Sequence, residues 1–315
     1  MKKLLIIRRR RLGHSTCKAL SELLGGLGIR CGVWRKDQTF PTEFLRRSEM
    51  EWTGLRWGCT STVPETTTRV CEASTTGVGG MLNKAGGIHK VAYKKDFLVQ
   101  LQTLMEGQSG LLPLVTAGPT LTRTTLLTQQ EHCEKWVVRP ATHSQGRNLS
   151  VIPSSQVQSH TYLLQGGYAR PLIQKKSEYR VYVMNGRVVN VAQKTPANPA
   201  DVAWNVNQGG RFDNVRFGDW PLKVCDLACR VFKHTGLTMS GIDIMVDQED
   251  EPWFIEANSA PSLPYNSDGS HTYRQKCVAK GLHYTLTESA DQMETDTTTG
   301  WRGYVHPAVW SPQGE

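Results

Sequence analysis

The sequence predicts a mixed α/β and α+β fold, with a small α/β domain first and a β-rich half after it. Three observations point there. An apolar run at 3–7, a helical pattern and a second apolar run follow one another, the β-α-β order of an α/β unit. Asn185-Gly186 sits between two β-patterned runs, the strongest short hairpin signal. A second hairpin, over 241–258, sorts acidic and apolar side chains onto opposite faces.

The elements follow in order. Lys2 and Lys3 precede Leu4-Leu5-Ile6-Ile7, and Arg8 to Arg11 come straight after. Four apolar residues are too few for an export signal, so a buried strand ending in a basic turn is expected, in a cytoplasmic chain. Cys17, Leu20, Leu23 and Leu24 give 14–24 a helical stripe that stops at Gly25-Gly26, and 29–34 reads as the next strand. Thr, Ser and Gly crowd 60–80, which reads as loop. A helix is expected over 95–106, closed by Gly107 to Gly110. Two short strands, 136–139 and 149–152, flank a polar loop, and 179–184 and 187–193 flank the Asn-Gly turn. Residues 221–234 read as a helix, with Pro221 at its start and Gly236 just past its end. The expected organisation is an N-terminal domain over 1–82, a second domain over 83–285 and a loose tail over 286–315.

The chain has 315 residues, enough for about two domains. Its mean hydropathy is −0.41, and no apolar run nears the roughly 20 residues of a membrane helix. None of the eight cysteines has CxxC spacing, and no His or Cys cluster joins Cys225 and Cys229 to complete a metal site. Reduced, buried thiols are expected. Lys plus Arg exceed Asp plus Glu by 37 − 28 = 9, which favours anionic partners: a nucleotide, an acidic peptide or a nucleic acid. No zinc finger, RRM signature or helix-turn-helix accompanies that charge.

The hairpin at 241–258 carries the chemistry. Taken as two regular strands with a four-residue loop, it sets Asp247 opposite Pro252 and Asp243 opposite Glu256. Alternation then puts Ile242, Ile244, Val246, Trp253, Ile255 and Ala257 on a core face. Asp243, Met245, Phe254, Glu256 and Asn258 fall on the other. Facing Cβ atoms lie about 5 Å apart, so the two carboxylates repel by about 1 kcal/mol or more. A hard divalent cation, with the Asn258 carbonyl as third ligand, resolves that repulsion. Mg²⁺ suits a site that shares its remaining positions with phosphates.

Gly241-x-Asp243 followed by Glu256-x-Asn258-x-x-Pro261 resembles the metal end of the ATP-grasp superfamily, most of all the ribosomal-protein glutamate ligase (RimK-like) carboxylate–amine ligases. Glu178-Tyr-Arg180-Val-Tyr-Val is similar to that family's acidic-x-Arg strand, and Asn205-x-x-x-Gly209-Gly210 to its Asn-x-x-x-Gly-Gly loop. The resemblance is good from about 136 to 264, extends back to about 80, and is architectural before that.

The resemblance implies an ATP-grasp fold, two α+β subdomains clamping ATP, after the N-terminal α/β domain. The phosphate-covering loop would be 142–148, with Ser144 and Gly146; Arg139 stands where a Lys commonly precedes it. A second Lys would be one of Lys84, Lys90, Lys94 and Lys95. Gln165, in Leu163-Leu164-Gln165-Gly-Gly-Tyr168, would sit at the hinge that holds adenine. Arg180 would touch phosphate or an acyl phosphate, Glu178 would bind ribose or orient Arg180, and Lys194 would reach phosphate. Asn205 and the Gly209-Gly210 backbone would line the phosphate and metal region. Asp243, Glu256 and Asn258 would hold Mg²⁺, or Mn²⁺ in its place. Asn207 and Gln208 replace the basic residues that precede the glycine pair in the glutamate ligases, which leaves glutamate specificity open.

The implied reaction is ATP-dependent joining of a carboxylate to an amine through an acyl phosphate, with Arg180 and Asn258 in the catalytic set. The product would be an amino acid added to a peptide, protein or small molecule. Two other readings stay open: a non-catalytic nucleotide-binding module, and a basic nucleic-acid-associated protein. No membrane partner is expected.

Overall fold

A computed structural model describes residues 2–8, 13–35, 38, 52–58, 78–116, 133–141, 148–198, 200–204 and 209–287. Strands β1 (Lys3–Arg8), β2 (Arg30–Arg35), β3 (Trp52–Trp57) and β4 (Val78–Leu82) form a parallel sheet in the order β2-β1-β3-β4. Every residue of β1 is buried, as a central parallel strand covered on both faces requires. Helix α1 (His14–Gly26) lays Cys17, Leu20 and Leu24 into the same core as Leu4, Ile6 and Leu55. Residues 78–80, expected as loop, belong to β4. Their pairing with β3, distant in sequence, overrides a Gly-rich local composition.

Helices α2 (Ala85–Ala92) and α3 (Lys94–Leu104) lead into an antiparallel sheet ordered β5-β8-β6-β7. It consists of β5 (Val115–Thr116), β6 (Lys135–Arg139), β7 (Ser150–Pro153) and β8 (Tyr168–Pro171), with the one-turn helix α4 (Thr161–Leu164) before β8. Trp136, Val138, Leu163 and Ala169 make its small core.

The largest sheet is antiparallel, in the order β11-β10-β9-β12-β13. Its strands are β9 (Ser177–Met184), β10 (Arg187–Thr195), β11 (Arg211–Asn214), β12 (Met239–Val246) and β13 (Pro252–Asn258). Asn185 and Gly186 turn β9 into β10, both at positive φ (48° and 76°), the conformation that Asn and Gly accept most readily. Helix α5 (Leu222–Phe232) covers one face of this sheet: Val224, Leu227, Ala228 and Val231 share a core with Val181, Ile242 and Ile244. Helix α6 (Tyr273–Thr287) covers part of the other face and packs against α1, so it bridges the N-terminal sheet and the main sheet. Cys225, Cys229 and Cys277 are buried free thiols, and burial pushes the Cys229 thiol up to about 12.

The hairpin departs from regular alternation. Asp243 pairs with Glu256, but the register shifts at the next step: Ile244 faces Phe254, and Val246, not Asp247, faces Pro252. Ile255 is the extra residue of a β-bulge. Phe254 therefore turns into the core, fully buried and edge-on to Phe97 with ring centroids 6.2 Å apart. Trp253 and Ile255, expected in the core, are half-buried. The bulge also frees backbone carbonyls, and the buried Arg170 guanidinium donates to those of Phe254 (2.6 Å) and Ile255 (3.3 Å).

Candidate active site

The main sheet's site face and the β5-β8-β6-β7 sheet enclose a cleft. Register places the side chains in rows. Glu256, Asp243 and Arg180 lie side by side across β13, β12 and β9. Two residues along, Met245, Glu178 and Lys194 form the next row across β12, β9 and β10. A strand period of two aims both rows into the cleft.

The charges interlock. Arg180 grips Asp243 with two bonds, Nε to Oδ1 at 2.6 Å and Nη2 to Oδ2 at 2.8 Å. Lys194, 3% exposed, donates to Glu178 Oε1 at 2.5 Å and Asp243 Oδ2 at 2.8 Å. Lys175 donates to Glu178 Oε2 at 2.6 Å and lies 4.3 Å over the Trp204 ring. Lys94, at the first position of α3, donates to Glu256, and Asn258 Nδ2 donates to Glu256 Oε1 at 3.1 Å. Burial would depress Lys194 and Arg180, but the charge and hydrogen bonds of Asp243, joined by Glu178 at Lys194, raise both. Burial alone would raise the Glu256 carboxyl, yet Lys94 first, then Lys194 and Arg180, hold it well below the usual range.

The cleft lining is of two chemical kinds, in contact where Lys175 lies over Trp204. Leu172, Ile173, Val202, Trp204 and Met245 make an apolar wall, while Arg139, Lys175, Lys194, Asp243 and Glu256 line a charged one. Counting Arg170, Arg180 and Lys94, six cations face three carboxylates. That excess suits a polyanion.

Arg139, Glu178, Lys194, Asp243 and Glu256 thus line one cleft, with Arg180 and Asn258 bonded to that group. Of the four candidate lysines, Lys94 reaches the site. Lys84 is exposed at the start of α2, Lys90 lies over Phe97 and Lys95 is 4.0 Å from Asp96. Ser144, Gly146, Asn205, Asn207 and Gln208 lie outside the described residues.

Three expectations need correction. Gln165 is exposed at the end of α4 and does not line the cleft. The segment joining the two sheets is 172–176, because the 168–171 stretch is itself strand β8. Glu178 does not orient Arg180, since its oxygens face Lys175 and Lys194. The repulsion between Asp243 and Glu256 is met by Arg180, Lys194 and Lys94, three cations contributed by other elements. Sequence reading missed Arg170, Lys175 and Trp204. Arg170 carried a usable signal, an Arg inside a short apolar strand, but its carbonyl partners exist only because of the bulge.

Two carboxylates and one amide oxygen form a hard, all-oxygen donor set that fits Mg²⁺ or Mn²⁺. Among the described residues, no three His, Cys, Asp or Glu side chains cluster to hold a metal. Two carboxylates and an amide would leave much of such a cation's shell open to other oxygens.

The cleft lies between two antiparallel sheets and carries charged and apolar side chains together. Residues 144–275 match the family described as RimK-like ATP-grasp domain. That match covers the main sheet and its surroundings, and the whole chain has the ATP-grasp fold. No curated protein matches it by sequence. Among solved structures it is similar to the ATP-grasp ligase PsnB complexed with minimal precursor, Mg and ADP, with a TM-score of 0.62 at 12% identity over 90% of this chain and 97% of that one. It is also similar to D-alanine–D-alanine ligase from Bacillus anthracis, with a TM-score of 0.59 at 11% identity over 94% and 99%. A third is the macrocyclase MdnC bound with precursor peptide MdnA from Microcystis aeruginosa, with a TM-score of 0.56 at 14% identity over 91% and 100%. Among the described residues no helix is long and apolar enough to cross a membrane.

Proposed function

We propose that this chain is an ATP- and Mg²⁺-dependent carboxylate–amine ligase that works through an acyl phosphate, with an amino acid or peptide as the carboxylate. The observation that carries this reading is the interlocked lattice of Lys94, Arg180 and Lys194 over Asp243 and Glu256 in the cleft. Adenine belongs at the apolar wall beside 172–173 and Trp204, and the phosphates at the lattice. There, Arg180, Lys194 and Lys94 turn from carboxylate to phosphate oxygens, which leaves Asp243, Glu256 and Asn258 to the cation. Asp243, Glu256 and Asn258 would hold Mg²⁺, which would supply positive charge against the transferring phosphoryl group. Arg180 and Arg139 stabilise negative charge as the substrate carboxylate attacks the γ-phosphorus and ADP leaves. An amine then attacks the acyl carbon and phosphate departs. The protein supplies position and electrostatics, and no nucleophile is required of it. The peptide class is supported by the neighbours PsnB and MdnC, solved with precursor peptides.

The test is thermal stability with ADP plus Mg²⁺, ADP plus EDTA and no ligand, for wild type and Glu256→Gln. Ligand at about 100 times its dissociation constant adds about 2.7 kcal/mol. A Mg²⁺-dependent shift weakened in the variant is expected, followed by ADP release with a productive carboxylate and amine pair that Glu256→Gln abolishes without unfolding. Full activity in Glu256→Gln would refute the assignment. No shift in wild type at millimolar ADP would turn the reading to a binding or structural role.

A further inference from the structure

The five residues after Asn258 are held by several side chains, and some of these flank the N-terminal sheet or lie in its helix α1. Asn83 lies just past the end of β4, fully buried at φ 54°. Its Oδ1 accepts from the backbone N–H groups of Thr238 (3.0 Å) and Met239 (2.8 Å). Its Nδ2 donates to the Ser259 carbonyl at 3.3 Å. One side chain thus joins the end of β4, the start of the strand that carries Asp243, and the residue after Asn258.

Other ties act on the same segment. A Cβ on Gly58, at the end of β3, would come within 3.0 Å of the Ala260 Cβ, so the N-terminal sheet touches the turn there. Thr16 Oγ1 in α1 accepts from Leu263 N at 3.1 Å and faces Leu263 O at 3.4 Å. From the main sheet, Ser240 Oγ donates to the Asn258 carbonyl at 3.1 Å. Asn83 thus uses both ends of a fully buried amide on three backbone groups, a constraint on where Ser259 sits relative to Thr238 and Met239.

We propose that the N-terminal sheet sets the position of Asn258, and that Asn83 is a positioning residue for the metal-dependent part of nucleotide binding. The N-terminal domain then has a role in the ATP site besides any contact with substrate. This inference rests on the reading of Asp243, Glu256 and Asn258 as metal ligands. Asn83 touches neither nucleotide nor metal; it acts through Ser259 and Asn258.

Asn83→Asp separates this role from simple stability. Asp tolerates the same backbone region and keeps an acceptor for Thr238 and Met239, but sets a carboxylate oxygen against the Ser259 carbonyl. Calorimetric dissociation constants for ADP are measured on the full chain, with Mg²⁺ and with EDTA. In Asn83→Asp we expect unchanged affinity in EDTA and at least a fivefold loss in Mg²⁺. Thr16→Val gives the same pattern and Thr16→Ser restores wild-type behaviour, which keeps the test open should Asn83→Asp fail to fold. Full Mg²⁺-dependent affinity in both Asn83→Asp and Thr16→Val, or an equal loss with and without Mg²⁺, overturns the inference. A wild type that binds ADP equally with and without Mg²⁺ instead removes the metal-ligand reading, and this inference with it.

Discussion

Lys194→Met deletes the central cation of the buried lattice while keeping a stem of similar length. Lys194 bridges Glu178 at 2.5 Å and Asp243 at 2.8 Å, with the side chains of all three 5% exposed or less. Removing one partner of a buried pair costs about 3–5 kcal/mol when the remaining charge is left alone. Here neither carboxylate is left alone: Asp243 keeps Arg180 at 2.6 Å and Glu178 keeps Lys175 at 2.6 Å. The local count falls from three cations over two carboxylates to two over two. Two charge-assisted hydrogen bonds are lost, about 1.5–3 kcal/mol each, and the desolvation penalty of one ammonium, several kcal/mol, is relieved. The balance is a cost of about 2 kcal/mol, well below that of an orphaned pair. The same reasoning makes Lys175 the reserve. In Lys175→Met/Lys194→Met, Glu178 has lost both of these cations, and the double variant should exceed the sum of the singles by about 1 kcal/mol or more. Urea denaturation at pH 7, extrapolated linearly, measures all four corners of the cycle. Additivity within about 0.5 kcal/mol would refute the shared-partner account, as would a Lys194→Met cost above about 4 kcal/mol.

Three other expectations follow from the packing and charge of the site. The Glu256 carboxyl titrates lower folded than unfolded, so the stability it contributes is complete above its unfolded value of 4.5 and is lost as pH falls through the folded value. Glu256→Gln should therefore flatten the acid limb of stability against pH below 4.5, and an unaltered limb in the variant counts against the Lys94 pairing. Phe254→Ala empties a fully buried site and should cost about 3–5 kcal/mol, whereas Trp253→Ala at its half-buried position should cost clearly less in the same denaturation assay. Equal costs would remove the bulge from the argument. Gln165→Ala should leave ADP affinity within twofold of wild type, as expected for an exposed residue outside the cleft, while Ile173→Asp on the apolar wall should weaken it about tenfold, close to 1.4 kcal/mol.

Much of the architecture was legible because its signals are local. The 3–7 apolar run, the stripe of α1 and the Asn185-Gly186 turn each declare themselves within a dozen residues, and all three formed as read. Strand β3, with Trp52 and Trp57 around Thr and Gly, gave no clean alternation; it is a strand because β1 and β4 pair with it. Helices α2 and α6 also went unread. The apolar signal of α6 is diluted by Arg274, Gln275 and Lys276, and two of these are buried by partners elsewhere in the chain: Arg274 bonds Phe212 O, and Gln275 bonds Leu263 O.

At the site, spacing pointed to Asp243, Glu256 and Asn258, since a period of two in paired strands places alternate residues on one face, whereas Arg180, Glu178 and Lys194 came from the family resemblance. Spacing could not say what neutralises them. A bulge at Ile255 is one extra residue whose cost and compensation depend on Arg170 reaching across from another sheet. The choice of Lys94 over Lys84, Lys90 and Lys95 depends on where α3 starts relative to β13, 162 residues further along the chain. The sequence by itself determined the hairpins and the acidic pair, because these follow from short-range periodicity and turn stereochemistry. The tertiary structure alone decided the cation partners, the strand that 168–171 forms and the fastening of Asn258, because those are contacts between segments that only packing brings together.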